Sequence, residues 1–248
     1  MYSMDMAMSG SGGGQKMNSE MDFDYLMEVT AESDSIKTIK TTFHNIRMKM
    51  DAGAMKVNVD TKKPPADTLS NTQNNPGALF SKMFYALKGK SFQMKVNPRG
   101  EVIGVSGVED VRAALVSAFV NDEAMRASAE QMFSSQFNEE SLKSSFSQAF
   151  SIFPDKPVVV GDSWTKKMNM GGMTPTEAQT TYKVREIKNG DVFLDISSDI
   201  NAGQAKSKQT GTMQIDANTG LVEEGKMETK YAAPMDMTVT MTIKTKEQ

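Results

Sequence analysis

Phe153-Pro154-Asp155-Lys156-Pro157-Val158-Val159-Val160-Gly161-Asp162-Ser163-Trp164 divides a helical middle from a β-rich end and holds the only tryptophan of the chain. Proline is excluded from a helix interior and pushes the residue before it toward extended geometry, so Pro154 and Pro157 mark a lead-in to a strand. Trp164 then reads as the large apolar anchor where the helical segment rejoins the sheet, with ligand stacking as the competing role. The stretch organises the fold and carries no chemistry of its own.

Upstream of it the sequence is helical from Val108 to Phe150. Ser106-Gly107-Val108-Glu109 has capping-box form ahead of Val111, Leu115, Val116 and Phe119. Asn121-Asp122-Glu123 and Asn138-Glu139-Glu140 give two further helix starts with acids where the helix dipole favours them. Before the helices the period is mostly two. Phe23, Tyr25, Met27 and Val29 alternate with Asp22, Asp24, Glu28 and Thr30, and a hairpin follows with Ile46, Met48 and Met50 opposite Met55, Val57 and Val59. Asn75-Pro76 opens a short helix carrying Leu79, Phe80, Met83, Phe84 and Leu87, with Gly89 as its stop. Phe92, Met94 and Val96, the turn Asn97-Pro98-Arg99-Gly100 and the run to Val105 form another hairpin.

Downstream the period returns to two. Tyr182 and Val184 lead to the Asn189-Gly190 turn, then Val192, Leu194 and Ile196. Met213 and Ile215 lead to the turn Asp216 to Gly220, then Met227, Thr229 and Tyr231. The last strand sets Met235, Met237, Val239, Met241 and Ile243 against Asp236, Thr238, Thr240, Thr242 and Lys244. Strands with one apolar face need a cover, and the helical segment is the available one. The expected fold is therefore α+β: a strongly curved antiparallel sheet or open barrel with the helical segment (108–150) packed on its concave side. Residues 1–19 are Gly/Ser/Met-rich and read as a flexible tail, and 20–248 as a single β-rich domain with a helical insertion over 107–152.

With 38% hydrophobic and 24% charged residues, the chain can build a sizeable core without disulfides or metals. A net charge of −3 from interleaved acids and bases leaves no basic stripe for phosphates, which argues against a nucleic-acid partner. No apolar run approaches the roughly 20 residues of a transmembrane helix, and the first residues lack a signal-peptide pattern. The absence of Cys excludes disulfides and thiol catalysis.

Several marks together carry a resemblance: Leu87-x-Gly89-Lys90-x-Phe92, Gly100-x-Val102, Gly107, Pro154-x-x-Pro157-Val158-x-Val160-Gly161-Asp162-Ser163-Trp164 and Gly211-Thr212-Met213-x-x-Asp216-x-x-Thr219-Gly220. They resemble an uncharacterised family of secreted and lipid-anchored β-rich proteins from the envelopes of Gram-negative bacteria. The architecture is also similar to that of half-barrel envelope carriers for lipoproteins or lipids, an analogy of fold alone. The resemblance implies a periplasmic, outer-membrane-associated or secreted protein whose signal peptide preceded Met1. It transfers no functional residues.

The candidate chemical groups are few. His44 is the only imidazole, so neither a His-based metal cluster nor a Ser-His-Asp triad can be assembled. Ser163-Trp164-Thr165-Lys166 has Ser-x-x-Lys spacing, but in an extended context and without companion motifs. Asp216-x-Asn218 resembles the start of a calcium loop, yet Met227 stands where the closing Glu belongs, and a hairpin turn accounts for it better. Asp34-Ser35-Ile36 and Asp67-Thr68-Leu69 match a short acceptor pattern for O-glycans and equally suit ordinary loops. The 22 methionines are the sharpest feature, with Met-x-Met at Met4/Met6/Met8, Met48/Met50, Met168/Met170 and Met235/Met237. Thioethers select Cu(I), so Met168, Met170 and Met173 are the candidate metal ligands. On a strand the same spacing simply places both side chains on one face, where flexible methionine suits an apolar ligand. The expectation is a non-enzymatic envelope protein, without a cofactor, that binds a lipid or apolar ligand or a protein partner. A Cu(I)-binding protein and an enzyme of scattered carboxylates are the alternatives.

Overall fold

A computed structural model describes residues 1–12, 15–53, 55–65, 76–119, 123–150, 152–154, 156–170, 176–202, 205–231 and 236–245. The chain begins with strands β1 (Tyr2–Gly12), β2 (Gln15–Ser33), β3 (Ile36–Ala52) and β4 (Met55–Asp60). Helix α1 (Pro76–Leu87), strands β5 (Ser91–Val96) and β6 (Val102–Ser106), and helices α2 (Val108–Ser117), α3 (Glu123–Gln136) and α4 (Glu139–Phe150) follow. The rest is strand: β7 (Ser163–Met170), β8 (Thr176–Lys188), β9 (Asp191–Ala202), β10 (Ala205–Asp216), β11 (Val222–Tyr231) and β12 (Asp236–Thr245). The protein is thus mostly antiparallel sheet with a few short helices.

Contacts divide the chain into two compact units. The first contains Met21–Lys49 and Lys56–Phe150 with Met1; the second contains Tyr2–Glu20, Met50–Met55 and Ser151–Gln248. The expected tail needs correcting. Tyr2–Gly12 is strand β1, paired antiparallel with β12 from Tyr2↔Thr245 to Ser11↔Asp236. Its composition suggests a linker, but Met4, Met6 and Met8 alternate with Ser3, Asp5, Ala7 and Ser9, and that period of two matches the alternation of β12.

In the first unit β5 pairs with β3 on one edge and β6 on the other, and β4 also pairs with β3. The β5–β6 turn forms as its residues predict: Asn97 Oδ1 accepts the N–H groups of Arg99 and Glu101, and Gly100 takes φ 78°. Helix α2 buries Val108, Val111, Ala114, Leu115 and Val116. Its cap differs from the expected box. Gly107 is the N-cap in the left-handed region and provides no side-chain bond, because Ser106 still belongs to β6. Asn138 does cap α4, with Oδ1 accepting the Ser141 N–H at 2.8 Å. Phe146 of α4 stacks on Phe92 of β5 at 5.3 Å between centroids, so the helix covers the face that carries Ile39, Met94 and Val105. In β2, Asp24 is buried while Val29 is 53% exposed, the reverse of the expected alternation. Phe23 and Met27 still pack against the cores.

The strand order of the second unit is β1-β12-β11-β10-β9-β8-β7. Asn189 and Gly190 both take positive φ in a two-residue hairpin turn between β8 and β9. Val158 to Asp162 precede β7 as a turn and not as strand, held by Val159 N–H to Asp162 Oδ2 and by Val184 N–H to the Asp162 carbonyl. The Trp164 indole N–H donates to the Ile152 carbonyl at 2.7 Å, and its ring stacks on Tyr182 at 5.5 Å. The tryptophan thus clips the end of the helix-to-strand connection onto a core of Tyr182, Val184, Leu194, Ile196, Met213 and Ile215.

Candidate functional site

Strand pairing in the second unit aligns residues from seven strands into lateral rows. One row runs Trp164, Tyr182, Ile196, Gly211, Met227, Met241, Met6, each opposite the next. Period two puts Met4, Met8, Met237, Val239 and Ile243 on the same face. The opposite face carries Asp195, Asp199, Lys208, Lys226, Glu224, Glu228, Lys230 and Lys244. Exposed cross-strand pairs such as Lys244–Glu224 at 3.3 Å and Lys208–Asp199 at 3.7 Å stand there, which marks the solvated side more than it adds stability.

Burial is uneven along the apolar face. Tyr182, Val184, Leu194 and Ile196 are buried, whereas Met4, Met6, Met8, Met237, Val239, Met241 and Ile243 are only half-buried. Gly211 shapes the boundary between these regions. A Cβ at that position would meet the Lys226 carbonyl oxygen and lie 2.9 Å from Met227 Cγ, so the methionine occupies the space a side chain would fill. A polar row crosses the same face next to it: Thr180 and Ser198 hydroxyls at 2.7 Å, and Gln209 Nε2 donating to Thr229 Oγ1 at 3.0 Å. Thr180, Ser198 and Thr229 are buried, and these bonds satisfy them. Burial raises the Tyr182 phenol above its ordinary 10.0, with the Thr180 hydroxyl opposing the shift.

Beside the Met-rich strands, Ser9, Gly10, Ser11, Asn18, Lys230, Tyr231, Asp236, Met237 and Thr238 line a cleft of 420 Å³. A second constellation sits at the β9, β10 and β11 ends, where carboxylate oxygens of Asp191, Asp216 and Glu223 lie within 4.8 Å of one another. Such an oxygen cluster suits a hard cation. Here Gln214 Nε2 donates to Asp191 at 3.0 Å and to Glu223 at 2.7 Å. Asp216 Oδ1 accepts the N–H groups of Thr219 and Asn218, and the Thr219 bond leads in lowering its pKa. Those bonds build the hairpin turn that the sequence suggests. Burial first, then the charges of Glu223 and Asp216, raise the pKa of Tyr2.

Met168 and Met170 lie on β7 opposite Ala178 and Thr176, and Met173 falls outside the described residues. Met4, Met6 and Met8 lie on β1, with β12, β11, β10, β9 and β8 between them and β7 in the strand order. Adjacent strands do bring together a methionine group, Met6 with Met241, flanked by Met4 and Met8 and, on β11, by Met227. Sequence spacing does not reveal it, because it depends on register between distant segments. His44 is exposed on β3, and Ser163 to Lys166 are strand. Asp34 and Ser35 form the β2–β3 turn with φ 52° and 63°, while Asp67 to Leu69 lie outside the described residues.

Residues 34–246 match a family of unknown function, DUF6263. The chain belongs to this family. No match to the sequence is found among curated proteins. DUF6263 membership spans β3 to β12 and so includes strands of both units. Among the described residues no helix is long and apolar enough to cross a membrane.

Proposed function

We propose that this DUF6263 protein is a non-enzymatic binding protein of a Gram-negative cell envelope, periplasmic, outer-membrane-associated or secreted, that carries a long acyl chain on the half-buried face of β1 and β12. The observation that carries the reading is the apolar strip Met4, Met6, Met8, Met237, Val239, Met241 and Ile243, half-buried while Tyr182, Val184, Leu194 and Ile196 of the same face are buried. From Met237 to Ile243 the strip extends about 20 Å at ~3.4 Å per residue, the length of a long acyl chain. Methionine side chains deform at low cost, which suits a flexible apolar ligand better than rigid branched residues do. A curved sheet in the second unit would wrap such a chain. In the first unit the same reading has β3, β5 and β6 curving around α2 to α4.

Native mass spectrometry of protein purified from its own host tests the proposal. The expected result is a bound mass that denaturation releases as a fatty acid or acyl lipid. A clean protein mass from freshly prepared material, with no acyl chain in an organic extract, contradicts it.

A further inference from the structure

We propose that Met6 and Met241, joined by Met4 or Met8, form a thioether site for the soft monovalent cation Cu(I). Met6 and Met241 stand directly opposite each other in the β1–β12 ladder. Such pairs hold their Cβ atoms ~4.5–5.5 Å apart, and diagonal neighbours at ~7–8 Å remain within reach of long side chains. Met4 and Met8 are those diagonal neighbours of Met241, on the same face. Methionine has three rotatable side-chain bonds, so three sulfurs can turn onto one ion without disturbing the ladder. All four residues are half-buried, which gives an ion access from solvent.

The chemistry of the face selects the ion. Thioether sulfur favours Cu(I), whereas hard cations require oxygen donors. On β1 and β12 the surrounding positions of this face carry Tyr2, Gly10, Met237, Val239 and Ile243, while Asp5, Thr240 and Thr242 belong to the opposite face. Met227 is next in the row, but its Cγ lies over Gly211, toward β10 and away from β12. The donor set therefore lies on the β1 side of Met241. It needs neither Met168, Met170 nor Met173. Thioethers bind without losing protons, so affinity stays flat between about pH 5.5 and 7, unlike an imidazole or thiolate site.

The site shares its face with the proposed acyl strip but depends on sulfur instead of apolar area, and that separates the two. A Met6→Leu/Met241→Leu variant keeps the apolar volume. Full-length protein is titrated with Cu(I) under reducing conditions against bicinchoninate, with a Met168→Leu/Met170→Leu variant as comparator. The proposal requires the first variant to lose at least about tenfold in Cu(I) affinity, while the comparator matches the wild type. It also requires the far-UV circular dichroism spectrum of the first variant to match that of the wild type, which confirms an intact sheet. If that variant fails to fold, methionine-methyl NMR of the wild type with Ag(I), a redox-inert probe, decides. Shifts at Met6, Met241 and one of Met4 or Met8 support the site. Equal Cu(I) affinity in both variants, or Ag(I) shifts confined to other methionines, overturns it.

Discussion

Met6 faces Met241 across the β1–β12 ladder although nearly the whole sequence separates them, and the pair continues a row that reaches Trp164 on β7. One lateral line thus runs from a stacked, hydrogen-bonded aromatic pair to half-buried thioethers. Rigidity at one end and adaptability at the other is the property a binding sheet needs, with the closed core fixing the strands that present the open strip.

Gly211 controls how β10 and β11 approach along that line. Gly211→Ala places a methyl group against the Lys226 carbonyl and Met227 Cγ. Overpacking of this kind costs about 1–3 kcal/mol, and the backbone oxygen cannot rotate away as a side chain can. Urea unfolding followed by Trp164 fluorescence should show a lower midpoint than wild type. Gly225→Ala is the internal comparison, since a Cβ there makes only ordinary contacts of 3.8 Å or more.

Trp164→Phe retains an aromatic ring against Tyr182 but removes the donor to the Ile152 carbonyl. Ile152 is buried, so losing that bond should cost about 1–3 kcal/mol. Far-UV circular dichroism in a urea titration checks this. An unchanged midpoint would mean that the indole N–H is dispensable to the clip.

Tyr182 gives stability an alkaline limb. Burial raises its folded-state pKa above the ordinary 10.0, so the native state holds the phenolic proton more tightly than the unfolded chain does. Its contribution is complete below pH 10.0 and declines as pH rises through the folded-state value. Tyr2 shifts in the same direction and adds to that limb. Thermal unfolding between about pH 9 and 11 should show a steeper fall for wild type than for Tyr2→Phe/Tyr182→Phe, whose phenyl rings cannot ionise.

Local patterns made much of the fold legible. Alternation located the hairpins, Asn97 to Gly100 and Asn189-Gly190 gave their turns, and Asn138-Glu139-Glu140 marked a real helix start. What failed was decided by partners distant in sequence. Met4, Met6 and Met8 look like tail until β12 supplies a matching edge, and Asp24 looks solvent-facing until the surrounding chain buries it. Ser106 has the chemistry of a helix cap but is already committed to pairing with Gln93 in the β5–β6 ladder. The methionine group was legible only as an excess of one residue type. Its members became neighbours through register, which no single segment encodes.

The most direct test of the binding account is titration of cis-parinaric acid against the full-length protein and a Met241→Glu variant, each verified as folded by circular dichroism. A carboxylate at the centre of the strip places charge where the acyl chain would lie and strands it against apolar contacts. The account predicts saturable binding to wild type and at least about tenfold weaker binding to the variant, while Ile187→Glu, already 42% exposed on β8, binds as wild type does. Equal affinity in wild type and Met241→Glu would contradict it.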